Sequence, residues 1–249
     1  MTFAICSLVL GEDYKKSVEL CTQSQEAYAL RHGYTRITDE SVYDPNRPFA
    51  WSKISLLQKY FSQYDFLVWM DADVLIMNPE IKFETFINMM KPDSFMFLGH
   101  DLNNLNTGIF VIKNCPLAHE FLEDVWNKTE YLNHVWWEQG AVIDLWKNSE
   151  KYKRHMDILE YRHINIMNAF HPEIDPKVHW LPGDFCIHFA GIRTMSRLDK
   201  LQRQYAPQAS THSSGMARIE KCINERLPVI KIPSPKLSCP VITKIKSLP

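Results

Sequence analysis

The chain has 249 residues, of which 45% are hydrophobic and 23% are charged. This is an ordinary composition for a soluble globular protein, with room for one large α/β domain or two small ones. The formal net charge of −1 excludes an overall basic field that would attract nucleic acid or an anionic membrane. Binding of a phosphate-bearing ligand therefore requires a local site.

The hydrophobic pattern alternates between the periods of strands and helices along most of the chain. The predicted elements are, in chain order, a strand at 3–10, a helix at 13–31, a strand at 34–38, a helix at 51–61, a strand at 66–70, a helix at 83–90, strands at 94–100 and 107–114, helices at 116–126 and 136–147, a strand at 185–191 and a basic helix at 195–204. Gly33 is expected to end the first helix, and Pro116 to lie in the first turn of another. This alternation predicts an α/β fold, a single Rossmann-like domain with a mostly parallel central sheet flanked by helices.

The character of the chain changes near residue 206. Residues 1–205 are predicted to form the α/β domain, and residues 206–249 a proline-rich C-terminal extension. The extension begins with the loop-like stretch "APQASTHSSG". Its last stretch carries five prolines, which are Pro228, Pro233, Pro235, Pro240 and Pro249. We interpret it as either an arm packed on the domain or a partly disordered tail.

The N-terminal segment and the cysteines indicate a compartment. The apolar run at residues 3–10 has no basic segment before it and is too short for a signal peptide or a membrane span. Six scattered cysteines without a C-x-x-C pair are typical of a reducing environment. We therefore expect a soluble cytoplasmic protein, in the host cytoplasm if it is viral, with no membrane span and no nucleic-acid partner.

Two carboxylates follow the apolar strand in "FLVWMDADVLIMNP". Asp71 and Asp73 lie where this strand ends, and ligands of open α/β sheets bind beyond the carboxyl ends of the strands. Carboxylate oxygens suit Mg²⁺ or Mn²⁺, which in turn bind substrate phosphates. A solvent-facing turn or a helix cap is the simpler interpretation of a bare D-x-D.

Two enzyme classes have such a pair after an apolar strand. In haloacid-dehalogenase-like phosphatases the first aspartate, here Asp71, is a nucleophile, and "DADVL" matches their motif. Their motif lies on the first strand, however, and a later Gly-Asp is followed by further acidic residues. In this chain β/α units precede the pair, and Gly183-Asp184 leads into Phe-Cys-Ile-His. The phosphatase class is therefore the disfavoured alternative.

The second class is the nucleotide-sugar glycosyltransferases of the GT-A fold. The segments "WSKISLLQKYF", "FLVWMDADVLIMNP", "LNTGIFVIKN", "WEQGAVIDL" and "CIHFAG" follow one another in this order. Together they resemble the family that contains plant xyloglucan xylosyltransferases and fungal α-galactosyl- and α-mannosyltransferases, over about residues 3–200. The resemblance implies transfer of a sugar, with retention, from a nucleoside-diphosphate sugar to a hydroxyl of an oligosaccharide or glycan acceptor. The expected donor is a UDP-sugar in preference to a GDP-sugar.

The resemblance also implies a metal site for Mn²⁺ or Mg²⁺. Asp73 would ligate the ion, and Asp71 would ligate it or hold the ribose and sugar hydroxyls of the donor. His188, in "CIHFAG", would complete the site from the opposite side of the cleft. Without the resemblance, a lone histidine on an apolar strand is more simply a hydrogen-bonded core residue.

Contacts to the donor are implied for several other residues. Gly191 would let the backbone approach the diphosphate, and Arg193 or Arg197 would neutralise it, with plain surface charge as the alternative. Lys53 would reach the donor phosphates or an acidic partner, unless it is an exposed helix lysine. Asn106-Thr107-Gly108 would border the donor sugar and the acceptor, where the residues alone predict only a turn.

Two residues are candidates for contacts with the reacting carbon of the donor sugar. The resemblance implies that Glu138 and Gln139 lie beneath the sugar and face its anomeric carbon, where they would stabilise the positive charge of a retaining reaction. An inverting reaction needs a general base on the opposite face, for which Glu138, Asp101 and Asp184 are all candidates. The residues alone leave the stereochemistry open.

Three tryptophans are candidates for a wall that stacks on sugar. Trp136, Trp137 and Trp180 have the flat apolar faces that such a wall needs, although core packing is the commoner use of tryptophan. A third functional hypothesis, besides the transferase and the phosphatase, is a carbohydrate-binding relative that kept the fold and has no catalytic activity.

Overall fold

The computed structural model of this protein describes residues 1–226. The last stretch of the predicted extension, with its five prolines from Pro228 to Pro249, lies outside this range. Within it, no helix is long and apolar enough to cross a membrane.

Nine strands are present in the described part of the chain. They are β1 Phe3–Cys6, β2 Thr35–Ile37, β3 Phe66–Met70, β4 Val74–Ile76, β5 Met96–His100, β6 Leu105–Lys113, β7 Met156–Leu159, β8 Ala169–Phe170 and β9 Cys186–His188. All strands predicted from the sequence are confirmed in place, although those predicted at 3–10 and 185–191 are shorter, as Phe3–Cys6 and Cys186–His188. The pairs β4 with β9 and β5 with β7 join segments that are far apart in the chain.

Ten α-helices accompany these strands between residues 1 and 226. They are α1 Glu12–Ser17, α2 Glu19–His32, α3 Ser52–Tyr60, α4 Phe83–Ile87, α5 Pro116–Asn127, α6 Trp137–Asn148, α7 Glu150–His155, α8 Asn165–Asn168, α9 Met195–Tyr205 and α10 Ser214–Arg226. The helix predicted at 13–31 is interrupted at Val18, whose φ of −118° and ψ of 15° leave the helical region. Gly33 ends α2 in the left-handed conformation, as predicted.

Six strands form the central sheet in the order β2-β1-β3-β6-β5-β7. β1 is parallel to β2 and β3, and β5 is parallel to β7. β6 is antiparallel to both of its neighbours. Five strands therefore run in one direction and β6 runs against them, which confirms the predicted mostly parallel α/β sheet. The reversal follows from the short connection at 101–104 between β5 and β6, which is long enough only for antiparallel neighbours.

The direction of β6 determines what lies at one edge of the sheet. Met70, the last residue of β3, is opposite Ile109. Because β6 is reversed, its beginning at Asn106-Thr107-Gly108 lies beside the carboxyl end of β3. Asp71 extends this pairing, since its N–H donates to the carbonyl of Gly108 at 2.8 Å. A parallel β6 would have carried these residues to the opposite edge.

A second, three-stranded sheet has the order β4-β9-β8. After Asp71 the chain turns, with the N–H of Val74 donating to the carbonyl of Asp71 at 3.2 Å. β4 then pairs with β9 in antiparallel register, so that Val74 lies opposite His188. This register brings Asp73 next to the end of a strand that is more than a hundred residues away in sequence.

Hydrophobic clusters cover both faces of the central sheet. Along β6, Phe110 and Ile112 belong to one cluster, and Ile109 and Val111 belong to the other. This is the alternation expected of a strand that is buried on both sides. One cluster is covered by α3, α5 and α6, and the other by α2, α4, α8 and α10.

The helix α10 was not predicted, because the stretch before it was interpreted only as a loop. It buries Ile219 and Cys222 in the second cluster, and Arg218 forms a salt bridge with the buried Asp184 at 2.7 Å. Residues 214–226 therefore pack on the α/β domain. The domain boundary at residue 205 stays a prediction.

Candidate active site

A cavity of about 510 Å³ opens at the edge of the central sheet where β3 ends. It is lined by the turn after β3, the first residues of β6, the first turns of α3 and α6, and the segment after β9. All eleven residues predicted for the site line this one cavity: Lys53, Asp71, Asp73, Asn106, Thr107, Gly108, Glu138, Gln139, His188, Gly191 and Arg193. Their roles remain predictions, but the fold brings the whole set together.

Asp71, Asp73 and His188 converge on one point of the cavity wall. The His188 Nε2 atom lies 3.7 Å from Asp71 Oδ2 and 3.4 Å from Asp73 Oδ1. One ligand atom from each of the three residues lies within 4.8 Å of the others. Neighbouring ligands of an octahedral ion with bonds of about 2.1 Å lie about 3 Å apart. Facing ligands of the same ion lie about 4.2 Å apart, so the three groups would have to close by a few tenths of an ångström around an ion. Two carboxylates and one imidazole are a donor set that suits a divalent cation such as Mg²⁺ or Mn²⁺.

The same proximity shifts the pKa values of two of these groups. Burial raises the pKa of Asp73, but His188, a backbone hydrogen bond and Lys53 together lower it by more, so the pKa lies below its usual value. Burial lowers the pKa of His188, whereas the Asp73 and Asp71 carboxylates raise it above its ordinary value. Without an ion, both shifts favour an imidazolium beside the two carboxylates, and a bound cation would take the place of its Nε2 proton.

His188 is held in place by its surroundings. Its ring stacks on Phe170 with a centroid distance of 5.9 Å, and its Nδ1 atom lies 3.1 Å from Asn168 Oδ1. A Cβ atom at Gly108 would lie 2.1 Å from the Cε1 atom of the His188 ring. Gly108 is therefore a glycine because the histidine ring occupies the space of its side chain, and not only because of a turn.

A buried lysine lies beneath the acidic pair. Lys53 Nζ lies 2.7 Å from Glu138 Oε1, 3.4 Å from Asp71 Oδ1 and 2.9 Å from the carbonyl oxygen of Thr107. The interpretation of Lys53 as an exposed helix lysine is wrong, since it is only 5% exposed. Burial lowers its pKa, and Asp71 and Glu138 raise it by more, so the ammonium form is favoured.

Glu138 and Gln139 lie in the first turn of α6 and contact the start of β6. Burial raises the pKa of Glu138 above its usual value, against the opposing effect of Lys53. Gln139 Oε1 accepts hydrogen bonds from the Thr107 backbone N–H at 3.0 Å and from its hydroxyl at 3.3 Å. These contacts join α6 to the strand edge at the cavity.

Three further residues that the sequence offered as site candidates lie outside the cavity. Arg197 forms an exposed ion pair with Glu173 and does not line the cavity. Trp180 is buried in a hydrophobic cluster with α9, so it packs in the core. Asp184 is fully buried against Arg218 and also lies outside the cavity. In each case the local sequence was compatible with a site, but the side chain packs elsewhere.

The rim of the cavity carries the remaining candidates. Arg193 and Gly191 line it. Gly191 has a φ of 73°, and no atom of the described part of the chain lies within 4 Å of a Cβ position there. Trp136 and Trp137 also line it, and Asp101 completes the acidic lining.

Sequence reasoning missed several residues of the site. Tyr14 lines the cavity although it was assigned to a helix face, and Phe49 lines its rim. Trp69 donates from Nε1 to Asp71 Oδ1 at 2.6 Å, because side chains two residues apart in an extended chain lie on the same face. Asn168 lies in a stretch for which no element was predicted. No local pattern distinguishes it, and only its contact to His188 identifies it.

A protein family and several of its known members are similar to this chain in sequence. The sequence profile of the galactosyl transferase GMA12/MNN10 family matches residues 8–95 and 82–199. An uncharacterized alpha-1,2-galactosyltransferase of Schizosaccharomyces pombe is 26% identical over 209 residues, which cover 68% of this chain and 54% of the relative. A probable xyloglucan 6-xylosyltransferase 1 of Oryza sativa subsp. indica is 24% identical over 221 residues, or 83% of this chain and 47% of the relative. The chain thus spans about half the length of the curated relatives it matches.

Solved structures give the same fold. A crystal structure of a glycosyltransferase involved in the glycosylation of the major capsid of PBCV-1 superposes with a TM-score of 0.64. It is 17% identical in sequence, and the match covers 82% of this chain and 100% of that one. The architecture is therefore the GT-A fold of glycosyltransferases. Since the family profile covers most of the α/β domain, the chain belongs to the galactosyl transferase GMA12/MNN10 family of glycosyltransferases.

Proposed function

We propose that this protein is a metal-dependent glycosyltransferase that moves a sugar from a nucleoside-diphosphate sugar, first of all a UDP-sugar, to a hydroxyl of a glycan acceptor with retention of configuration. The observation that carries the proposal is the convergence of Asp71, Asp73 and His188 within 4.8 Å on the wall of the cavity. In a chain of this family, such a cluster is suited to a cation that holds a diphosphate.

The charge of the cavity supports a cation-dependent donor. Four carboxylates line it, against the cationic side chains of Lys53 and Arg193. Lys53 is already engaged by two of those carboxylates. A diphosphate would therefore meet net negative charge unless a divalent ion bound with it. Asp71, Asp73 and His188 would hold Mn²⁺ or Mg²⁺, which would supply Lewis-acid stabilisation of the departing diphosphate.

The protein's own residues would orient the donor. Gly191 leaves open space beside its backbone, so a phosphate can approach its N–H closely. Arg193 on the same segment adds a cation that faces no carboxylate partner among the described ion pairs. The Lys53 ammonium fixes Asp71 and Glu138 from beneath, so the acidic wall does not have to reorganise when the donor binds.

The partners of the lining carboxylates favour retention. Asp101 Oδ1 accepts from two backbone N–H groups, and its Oδ2 accepts from Asn106. Glu138 is bound by Lys53. Outside the proposed metal ligands, each lining carboxylate is thus engaged in the structure, whereas an inverting reaction needs a free base.

In the retaining reaction, the bond between the sugar C1 and the diphosphate oxygen breaks. The acceptor oxygen then bonds to C1 on the same face, and its proton passes to the departing phosphate oxygen. Gln139 and Glu138 lie next to the start of β6. They would stabilise the positive charge of the oxocarbenium-like sugar through the partial negative charge of the Gln139 amide oxygen and the charge of the Glu138 carboxylate. These are the roles that the family resemblance implies for Gln139 and Glu138.

The rim of the cavity would hold the acceptor. Trp136 and Trp137 line it and remain 37% and 47% exposed. Trp137 has a φ of 44°, in the left-handed region that a bulky residue rarely adopts. Strain of this kind is commonly found at functional sites. The two indole faces would stack on the apolar face of a sugar ring of a glycan.

Calorimetry with UDP tests the metal-dependent part of the proposal. Wild-type protein is expected to bind UDP in the presence of Mn²⁺ and not in its absence. Asp73→Asn keeps the shape of the side chain and removes its charge, so Mn²⁺-dependent binding is expected to be lost. Asp199→Asn is the matched control, because Asp199 is a partly exposed carboxylate on α9 that pairs with Arg203 and lies outside the cavity. Equal binding by wild type and Asp73→Asn would overturn the proposal.

A panel of UDP- and GDP-sugars tests the donor. Slow hydrolysis of one UDP-sugar without acceptor, dependent on Mn²⁺, is expected, and ¹H NMR of the first glycoside formed with an acceptor reports its anomeric configuration. Hydrolysis of a generic aryl phosphate without turnover of any donor would instead support the phosphatase hypothesis.

A further inference from the structure

A chain of four buried polar side chains runs from the loop after β5 to the proposed metal site. Asn106 Nδ2 donates to Asp101 Oδ2 at 2.8 Å, and Asn168 Nδ2 donates to Asn106 Oδ1 at 2.9 Å. Asn168 Oδ1 then lies 3.1 Å from His188 Nδ1. All four residues are buried, and Asn168 is completely inaccessible. Neither the family resemblance nor the sequence pattern gives Asn168 a role.

The orientation of both amides follows from groups that can only donate or only accept. The backbone N–H of Gly108 can only donate, and it lies 2.9 Å from Asn106 Oδ1. The oxygen of the Asn106 amide must therefore face Gly108 and Asn168, and its NH₂ group must face the Asp101 carboxylate, which accepts. Two independent contacts thus give the same orientation of Asn106.

This orientation determines the next two groups in the chain. Because the Asn106 oxygen accepts, Asn168 must direct its NH₂ group toward Asn106 and its oxygen toward His188. An amide oxygen can only accept, so the hydrogen of the imidazole lies on Nδ1. The Nε2 atom, which faces Asp71 and Asp73, then presents its lone pair to the point where a cation would bind.

The opposite arrangement is costly in this environment. A hydrogen on Nε2 instead of Nδ1 would require Asn168 to rotate its amide and bring two NH₂ groups or two oxygens together. All the atoms concerned are buried, so no solvent compensates a broken bond. Buried ring-nitrogen partners of this kind determine which nitrogen of a histidine is available to a metal.

We infer that Asn168 is a positioning residue for the metal site: together with Asn106 and Asp101 it holds His188 as the Nδ1–H tautomer, with Nε2 directed at the cation. The inference rests on the proposed function for the presence of the cation. The hydrogen position itself belongs to the metal-free protein and is tested separately.

The first experiment observes the hydrogen directly. In ¹⁵N-labelled, metal-free protein, the ring N–H of His188, assigned by its absence in His188→Gln, is expected on Nδ1 and protected from exchange with solvent. Asn168→Leu removes the acceptor and is expected to abolish this protected signal. Asn168→Asp retains an acceptor oxygen for the Nδ1–H, and in its protonated form it also has an O–H that can donate to Asn106 Oδ1 in place of the amide NH₂, so it is expected to restore the signal. A wild-type His188 with its hydrogen only on Nε2, or no protected Nδ1–H, would overturn the inference.

The second experiment measures Mn²⁺ affinity from the free-ion signal in electron paramagnetic resonance. Asn168→Leu is expected to weaken binding by about 10- to 100-fold, as is typical when a group behind a metal-bound histidine is removed. Asn165→Ala is the control, since Asn165 lies on the same helix and bonds Asp184 at 3.2 Å instead of His188. It is expected to bind Mn²⁺ like wild type.

The outcomes separate the two proposals. If wild type binds no Mn²⁺ but shows the protected Nδ1–H that depends on Asn168, the tautomer inference stands and the metal-dependent function fails. If wild type binds Mn²⁺ and Asn168→Leu, folded by circular dichroism, binds it within threefold as tightly, the positioning role fails. If Asn168→Leu does not fold, Asn168→Asp and the wild-type spectrum decide the question.

Discussion

The smallest change that the structure predicts to disable the site is Gly108→Ala. The backbone at Gly108 is not in the left-handed region, so alanine introduces no backbone strain there. Its Cβ atom, however, would lie 2.1 Å from His188 Cε1 and 2.7 Å from His188 Nδ1. Carbon atoms in contact lie about 3.5 to 4 Å apart, so the ring or the strand must move by roughly 1.4 Å or more. His188 has little freedom to move, because it stacks on Phe170 and contacts Asn168.

The size of this movement sets the expected effect. Metal sites tolerate ligand displacements of about 0.2 Å, and misplacement by about 1 Å costs on the order of 100-fold in enzyme function. We therefore expect Gly108→Ala to weaken Mn²⁺ binding by roughly 100-fold. Overpacking adds a loss of about 1 to 3 kcal/mol in the free energy of unfolding. Calorimetry with Mn²⁺ and UDP measures the first effect, and urea denaturation measures the second.

Gly99→Ala is the matched control for this experiment. A Cβ atom at Gly99 in β5 would lie 2.6 Å from both Cδ1 and Cγ1 of the buried Ile164, which is a core side chain and not one of the proposed metal ligands. This variant is expected to lose stability and keep its Mn²⁺ affinity. Wild-type affinity in Gly108→Ala, or an equal loss in Gly99→Ala, would refute the steric reasoning.

Three further predictions concern other parts of the structure. Lys53→Met leaves the Glu138 carboxylate buried without its cation and is expected to lower the free energy of unfolding by about 3 to 5 kcal/mol. The double variant Lys53→Met with Glu138→Leu is expected to recover part of this loss, because it also removes the buried charge. Urea denaturation measures both variants, and a single variant as stable as wild type would contradict the argument. Lys113→Met is expected to stabilise the protein by about 1 to 2 kcal/mol, because the buried Nζ atom of Lys113 has no hydrogen-bond partner among residues 1–226 and burial lowers its pKa. A lower midpoint of thermal unfolding than wild type would be the contrary result. Trp137→Ala is expected to raise the KM for a glycan acceptor roughly threefold to tenfold and to leave donor hydrolysis unchanged. Leu30→Ala is the control, because Leu30 is exposed and lies outside the cavity. An unchanged KM in Trp137→Ala would rule out the stacking role.

The fold was predictable where local pattern decides it. Strands such as β3 and β9 are short apolar runs with polar ends, and α5 begins at a proline and has a clear apolar face. The segment from α7 to β8 was not predicted, because its elements are short and lack a sustained period. They are held by long-range pairing instead, as in the parallel contact of β7 with β5. Such pairing is a property of the packed sheet and leaves little trace in a local window.

The candidate site divides in the same way. The residue types and their order identified the cavity lining, since a carboxylate pair after a buried strand needs a positive partner whatever the rest of the chain does. Local sequence did not show which side chains reach that point, since Asp184 and Trp180 had suitable local sequences and pack elsewhere.

By itself, the sequence determined which chemical groups this protein brings to its sheet edge and which family it resembles. Only the tertiary structure decided that the reversed strand β6 carries Asn106 and Gly108 to that edge, that Lys53 is buried against Glu138, and that Asn168 stands behind His188. The physical reason is that hydrophobic period and turn chemistry act between near neighbours in the chain. The orientation of a ligand instead depends on atoms from segments far apart in sequence, which meet only when the core packs.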